Sequence, residues 1–163
     1  FAFDACFDDD DADPEEQQAA VYETLGVPLL GRAWLGFDCS LFAYGQTGAG
    51  KSYSMLGGGA SSSSLGLIPR ICDGLFDAIA ATRDEVRVEA SYMEVYNESA
   101  RDLLLPTGKP LRVREHPSRG AWVPDLTTVA VASRDEVNAL IAIGAEARAT
   151  APTKANPQSS RSH

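Results

Sequence analysis

Gly45-Gln46-Thr47-Gly48-Ala49-Gly50-Lys51-Ser52 constrains this chain more than any other stretch. It matches G-x-x-x-x-G-K-[ST], a glycine-rich turn that wraps the phosphates of a nucleoside triphosphate. Each residue type has a physical reason. Gly45, Gly48 and Gly50 let the backbone approach an anion and turn successive N–H groups inward. The Lys51 ammonium reaches the β- and γ-phosphates, and the Ser52 hydroxyl is placed to ligate Mg²⁺. The context agrees. Cys39 to Tyr44 is a short apolar run that reads as a buried strand, and Lys51 to Leu56 has helical potential before Gly57. Strand, loop and helix start is the order that sets a helix N-terminus under an anion. The alternative is a glycine-rich surface turn, and the flanking strand argues against it.

Composition narrows the partners. The chain has 163 residues, one ordinary domain by length, and its 44% apolar content is that of a globular protein. The longest apolar runs are too short to span a bilayer, and the opening Phe-Ala-Phe-Asp has no basic signal region. Cys6, Cys39 and Cys72 are widely spaced, make no metal motif and fit a reduced cytosolic protein. The net charge of −9 argues against nucleic acid, whose phosphates are bound by clustered Lys and Arg. Much of the acid lies in Asp8 to Asp11, which reads as a solvated loop rather than a cation site.

Strands and helices alternate, which predicts an α/β fold. Asp13-Pro14-Glu15-Glu16 starts a helix that should run to about Gly26 and resume beyond Pro28 to Trp34. Gly57 to Ser64 reads as a flexible linker. Ile68-Pro69-Arg70 opens another helix with Ile71, Leu75, Phe76 and Ile79 on one face. Val86 to Val95 alternates as a strand, with Glu89 and Glu94 on its solvent side. Leu111 to Arg114 and Thr127 to Ala132 read as short strands. Ser133-Arg134-Asp135-Glu136 is a capping box for a helix to about Thr150, with Val137, Leu140, Ile141 and Ile143 inside. Phosphoryl transfer also needs a strand ending in an acid that holds the metal through water. No apolar run after Ser52 ends that way, since Asp125 follows Pro124 in a turn pattern.

These stretches together resemble one family. Phe42 to Met55 closely resembles the phosphate loop of the kinesin motor domain. Phe3-Asp4 to Phe7-Asp8 with Val21-Tyr22 is similar to the segment before its first long helix. Ser91 to Glu98 with Arg101-Asp102-Leu103-Leu104 resembles a strand and turn typical of these motors. Asn156-Pro157-Gln158-Ser159-Ser160-Arg161-Ser162-His163 resembles switch I, N-x-x-S-S-R-S-H. The stretch from Leu111 to Pro117 is most similar to the class-three, organelle-transporting kinesins.

The resemblance implies residues 1–163 to be part of a motor domain with the three-layer phosphate-loop fold, its phosphate loop at 45–52 and switch I at 156–163. It implies ATP and Mg²⁺ bound along Gly45, Gln46, Thr47, Gly48, Ala49, Gly50, Lys51 and Ser52. Tyr53 falls where kinesins set a ring against the adenine. Asn156 would lie near the γ-phosphate, Ser159 would position the lytic water, and Ser160 would join Ser52 at Mg²⁺. Arg161 would pair with a switch II glutamate in a latch that opens after hydrolysis. Without the resemblance this tail reads as a frayed C-terminus.

The departures matter too. The family's first strand is missing upstream, and nothing after switch I is present, including D-L-A-G-S-E, the switch II helix and the neck linker. Both ends are therefore expected to be cut, leaving the phosphate-loop strand with bare flanks and the isolated chain poorly stable and inactive. The implied function is an ATP-driven microtubule motor in the cytoplasm, on the cytoskeleton. Its track would be held mainly through the missing segments and its cargo through a tail; no membrane insertion is implied. The loop around Arg112, Arg114, His116 and Arg119 either resembles the kinesin segment that touches the lattice from the side or is a structural hairpin. The competing function is a non-motor nucleotide-binding or interaction fragment without turnover. A D-L-A-G-S-E motif downstream would favour the motor, and a stop codon after His163 the fragment.

Overall fold

A computed structural model describes residues 2–7, 13–58, 64–96, 98–105, 107, 109–118 and 120–150. The switch I candidates Asn156, Ser159, Ser160 and Arg161 lie outside the described residues, as do Asp8 to Asp11 and Arg119. The chain divides into two compact units, Phe1–Asp84 and Glu85–His163.

The first unit is helical. Helix α1 (Pro14–Val21) starts as its sequence predicts: Asp13 Oδ1 accepts a 2.8 Å hydrogen bond from the Glu15 N–H, and Pro14 needs no donor in the first turn. The helix was expected to stop near Gly26, before Pro28. Instead it continues through a π turn (Tyr22–Gly26) into α2 (Val27–Trp34). The Val27 N–H reaches back five residues to the Tyr22 carbonyl, and the widened turn accommodates the donor that Pro28 lacks. Helix α3 (Lys51–Leu56) follows the glycine loop, and α4 (Leu67–Ala81) packs on the π turn and α2. The approach is close: a Cβ on Gly74 would lie 2.5 Å from the Tyr22 hydroxyl oxygen. Burial there, with the negative charges of Glu23, Asp73 and Asp77, holds the Tyr22 hydroxyl above its usual pKa.

The buried strand expected over Cys39 to Tyr44 does not form. Phe37–Tyr44 joins no ladder among the described residues, and Phe42 and Tyr44 are 84% and 95% exposed. A strand is a paired object: an apolar run becomes one only where a neighbour supplies hydrogen-bonding partners.

The second unit holds three two-stranded antiparallel sheets. Strand β1 (Val88–Ala90) pairs with β6 (Val129–Val131), β2 (Met93–Tyr96) with β3 (Ser99–Asp102), and β4 (Arg114–His116) with β5 (Gly120–Trp122). The single strand expected over Val86 to Val95 is broken at Ser91 and Tyr92, so its halves serve different sheets. One prediction fails in this stretch, since residues five apart lie on opposite faces of a strand and Glu89 and Glu94 cannot both face solvent. Glu89 is exposed as expected, but Glu94 is 6% exposed, its carboxylate between Arg101 (3.9 Å) and Arg148 (3.8 Å). Helix α5 (Arg134–Thr150) begins at its capping box: the Glu136 N–H donates to Ser133 Oγ, and Glu136 Oε2 accepts from the Ala132 N–H at 2.7 Å. Ile143, expected inside, is 48% exposed; the buried position on that turn is Gly144, where the Tyr92 ring leaves no room for a Cβ. Both element types are present, as an α/β class requires, but the cores are thin. Leu67, Pro69, Ala100, Leu103 and Val131 are the buried apolar side chains among those described.

Asp102 organises the turn after β3. Its Oδ1 accepts from the N–H groups of Leu104 (2.8 Å) and Leu105 (3.0 Å), and Oδ2 from the Thr127 N–H at 2.8 Å. Burial alone would raise its pKa, but these bonds and the Thr127 hydroxyl favour the charged form more, so the carboxyl titrates below its usual range. The unfolded chain then takes up this proton first, near pH 3.9 or roughly so. Stability from Asp102 is complete above that pH and is lost as pH falls through the lower folded value. Asp102→Ala should destabilise the unit by about 3 kcal/mol at neutral pH, because three backbone donors lose their acceptor. Urea unfolding at pH 7 and pH 3 checks this, the difference between variant and parent shrinking at the lower pH.

Candidate functional site

The glycine loop takes the backbone shape that its composition predicts. Gly45, Gly48 and Gly50 have φ of 151°, 86° and 84°, values that residues with a Cβ rarely adopt. The Ala49 N–H donates to the Gln46 carbonyl at 3.2 Å, closing the turn. Gly50 is the left-handed residue from which α3 departs, and its carbonyl accepts from the Ser54 N–H (2.8 Å) and Ser54 Oγ (3.2 Å).

Lys51 folds back over the loop. Its Nζ donates to the carbonyls of Gly45 (2.7 Å) and Gln46 (2.8 Å). An ammonium carries three donors, so one N–H remains for a ligand at the loop mouth. Ser52 is exposed, with its hydroxyl next in sequence to that charge. The Tyr53 ring is 37% exposed. A cavity of about 470 Å³ runs beside the loop, lined by Ala49, Gly50, Lys51 and Tyr53 together with Gln18 and Leu41. That volume lies within the range of small-molecule sites. The residues from Gly45 to Tyr53 thus form one local constellation; the other predicted members, Asn156, Ser159, Ser160 and Arg161, lie outside the described residues.

Sequence reading missed two supports. Gln18, 3% exposed, donates from Nε2 to the Tyr53 carbonyl at 2.8 Å. Glu15, one helical turn earlier, accepts from the Leu65 N–H at 3.3 Å and forms an ion pair with Arg70. No local pattern announces contacts between residues 35 and 50 positions apart. Leu65 is also bridged to Gly57, and the Gly58 N–H donates to the Ser64 carbonyl at 3.1 Å, so the segment between α3 and α4 is closed at its base.

No group of three or more His, Cys, Asp or Glu able to hold a metal occurs among the described residues. The groups present suit a phosphate that brings its own cation: the ammonium and the glycine-loop N–H groups face an anion, and the Ser52 hydroxyl oxygen is the one ligand for a metal. In the second unit, strand alternation sets Arg114 and His116 on one side of β4, both exposed, with Trp122 paired opposite Arg114 and the exposed Arg112 two residues before the strand. No helix among the described residues is long and apolar enough to cross a membrane.

Comparison with known proteins bears on all of this. The profile of the kinesin motor domain matches residues 1–163. Mouse kinesin-like protein KIF13A is 44% identical over 171 aligned residues, covering 100% of this chain and 10% of that protein. Kinesin-like protein unc-104 of Caenorhabditis elegans is 48% identical over 150 residues, covering 90% of this chain and 10% of its own length. A solved structure of a KIF14 dimer, in a two-heads-bound state with AMP-PNP and a microtubule, superposes with a TM-score of 0.76 at 45% identity. It covers 89% of this chain, and the chain spans 41% of it. The chain thus spans about a tenth of the curated relatives it matches.

Proposed function

The chain belongs to the kinesin motor-domain family, and from that premise we propose that it is the ATP-binding part of a microtubule motor. The observation that carries the reading is the loop itself: three left-handed glycines bracketed by Lys51, whose ammonium is held at the mouth by two loop carbonyls. That arrangement offers N–H dipoles and one fixed positive charge to a triphosphate. Lys51 takes the β/γ-phosphates, and Tyr53 lies against the adenine. Ser52, joined by Ser160 of switch I, would hold Mg²⁺. When bound, Mg²⁺ neutralises charge that develops on the phosphate oxygens. By the family resemblance Asn156 would serve the γ-phosphate, Ser159 would orient the attacking water, and Arg161 would latch switch I against a partner acid. The KIF14 structure, solved with AMP-PNP on a microtubule, supports this choice of ligand and track.

The exposed basic side of the β4–β5 hairpin, with Arg112, Arg114 and His116, suits an acidic track despite the overall charge of −9. Localisation on cytoplasmic microtubules follows from the same reading. ATP turnover by the full-length protein, measured with and without microtubules, is the test. Stimulation by microtubules is the expected result. Turnover indifferent to microtubules would reduce the reading to nucleotide hydrolysis, and ATP binding with no turnover would favour the non-motor alternative.

A further inference from the structure

We propose that Gln18 is a positioning residue for the nucleotide base: it fixes the backbone of Tyr53 and so aims the Tyr53 ring. The inference rests on the reading of Gly45 to Tyr53 as a nucleotide site. Helix α3 has only six residues, well below the length at which a helix holds itself together in water. Its direction must come from contacts outside it. Its first turn, with Lys51 and Ser52, is held separately by the Lys51 ammonium on the Gly45 and Gln46 carbonyls. At its end the Gly57 N–H donates to the Tyr53 carbonyl at 2.8 Å, which completes the helix's own bonding at that residue. Gln18 adds a second donor to the same carbonyl, also at 2.8 Å, using the remaining lone pair.

A purely structural role would be met by any contact along α3. The contact made is to the one residue of that helix whose ring is proposed to meet the base, and it comes from a side chain 97% withdrawn from solvent by its 3% exposure. The Gln18 amide is a rigid polar strut on a long helix, and a buried amide donor turned to apolar surroundings is costly, so its geometry is strongly determined. Glu15, one turn earlier on α1, bonds instead to Leu65 and Arg70. The two residues therefore separate cleanly: Glu15 anchors where α4 begins, and Gln18 sets the ring.

The test compares two ligands in the full-length protein by calorimetric titration: Mg-ATP, which has a base, and Mg-tripolyphosphate, which has none. Gln18→Met keeps the volume and removes the donor. It should weaken ATP about tenfold, the scale of one base–aromatic contact, while tripolyphosphate changes less than about twofold. Tyr53→Ala should produce the same split, and the double variant should be no worse than either, because the two act through one contact. Glu15→Gln should leave the ratio of the two affinities unchanged. Equal weakening of both ligands by Gln18→Met, or no change in either, overturns the proposal. If that variant does not fold, the ratio is read on Gln18→Leu, which fills similar space and carries no donor. Lys51→Ala separates failure of the premise: it must weaken both ligands, and if it weakens neither, the loop is not the nucleotide site and the proposal falls with that reading.

Discussion

Replacing Lys51 by alanine lowers ATP affinity of the full-length protein by a factor of about 10 to 100, the scale of one lost hydrogen bond to a charged group. Two effects add. The positive charge is lost, and the carbonyls of Gly45 and Gln46, now bonded by the ammonium at 2.7 and 2.8 Å, are left as bare acceptors at the mouth of an anion site. Acceptors facing phosphate repel it, so the variant is worse than a neutral loop. Lys51→Arg should not restore binding. A planar guanidinium cannot take the place of a compact ammonium between two loop carbonyls. The fold should be little affected, because the side chain reaches only its own loop. Calorimetric titration with Mg-ATP and a thermal melt check both halves; ATP affinity within a factor of about two of the parent would remove Lys51 from the site, a difference too small for a lost charge contact.

Gly66→Ala should unfold the first unit's loop region and cost more than about 3 kcal/mol, beyond the usual range for overpacking. The Cβ would lie 2.6 Å from the Leu56 nitrogen, the Gly57 nitrogen and the Met55 carbonyl carbon. All three are backbone atoms, so no rotamer change relieves the clash. Gly57 meets the same wall from the other side, with φ of 95° and the Ser64 carbonyl oxygen 2.2 Å from its Cβ position. Because those backbone atoms belong to the end of α3, ATP binding should fall together with stability. Gly31→Ala is the control. It lies within α2, where a Cβ meets nothing within 4 Å, so the same chemical change should stabilise by up to about 1 kcal/mol. Thermal melts of the two variants should move in opposite directions. A Gly66→Ala protein that melts with the parent would show that the close approach is not required.

What could be read from sequence was local. The loop was legible because glycine spacing encodes backbone angles, and Gly45, Gly48 and Gly50 all have positive φ. Asp13 with Pro14 and Ser133 with Glu136 were legible because a cap and its donor lie within four residues. What failed depended on distant partners. Cys39 to Tyr44 has strand composition and no ladder. Glu94 was assigned to solvent for its charge, although an interval of five residues from the exposed Glu89 sets it on the opposite face of a strand; its burial depends on Arg101 and Arg148. Continuation of the helix past Pro28 required a π turn, which has no reliable signature in residue type. Gln18 looked like an ordinary polar helix residue; its role depends on a carbonyl 35 positions away. The kinship with kinesins entered through motifs and was secured by a match over residues 1–163, not by the periodicity of any element.

The closed base between α3 and α4 has a practical consequence. Gly57 and Leu65 are bridged and Gly58 is bonded to Ser64, so the two helices are tied together independently of how much chain lies between those pairs. Lengthening a connection whose ends are already fixed costs only about 0.6 kcal/mol per doubling. Between Gly58 and Ser64 is therefore where a fluorophore attachment site or an epitope could be spliced into the chain without loosening either helix.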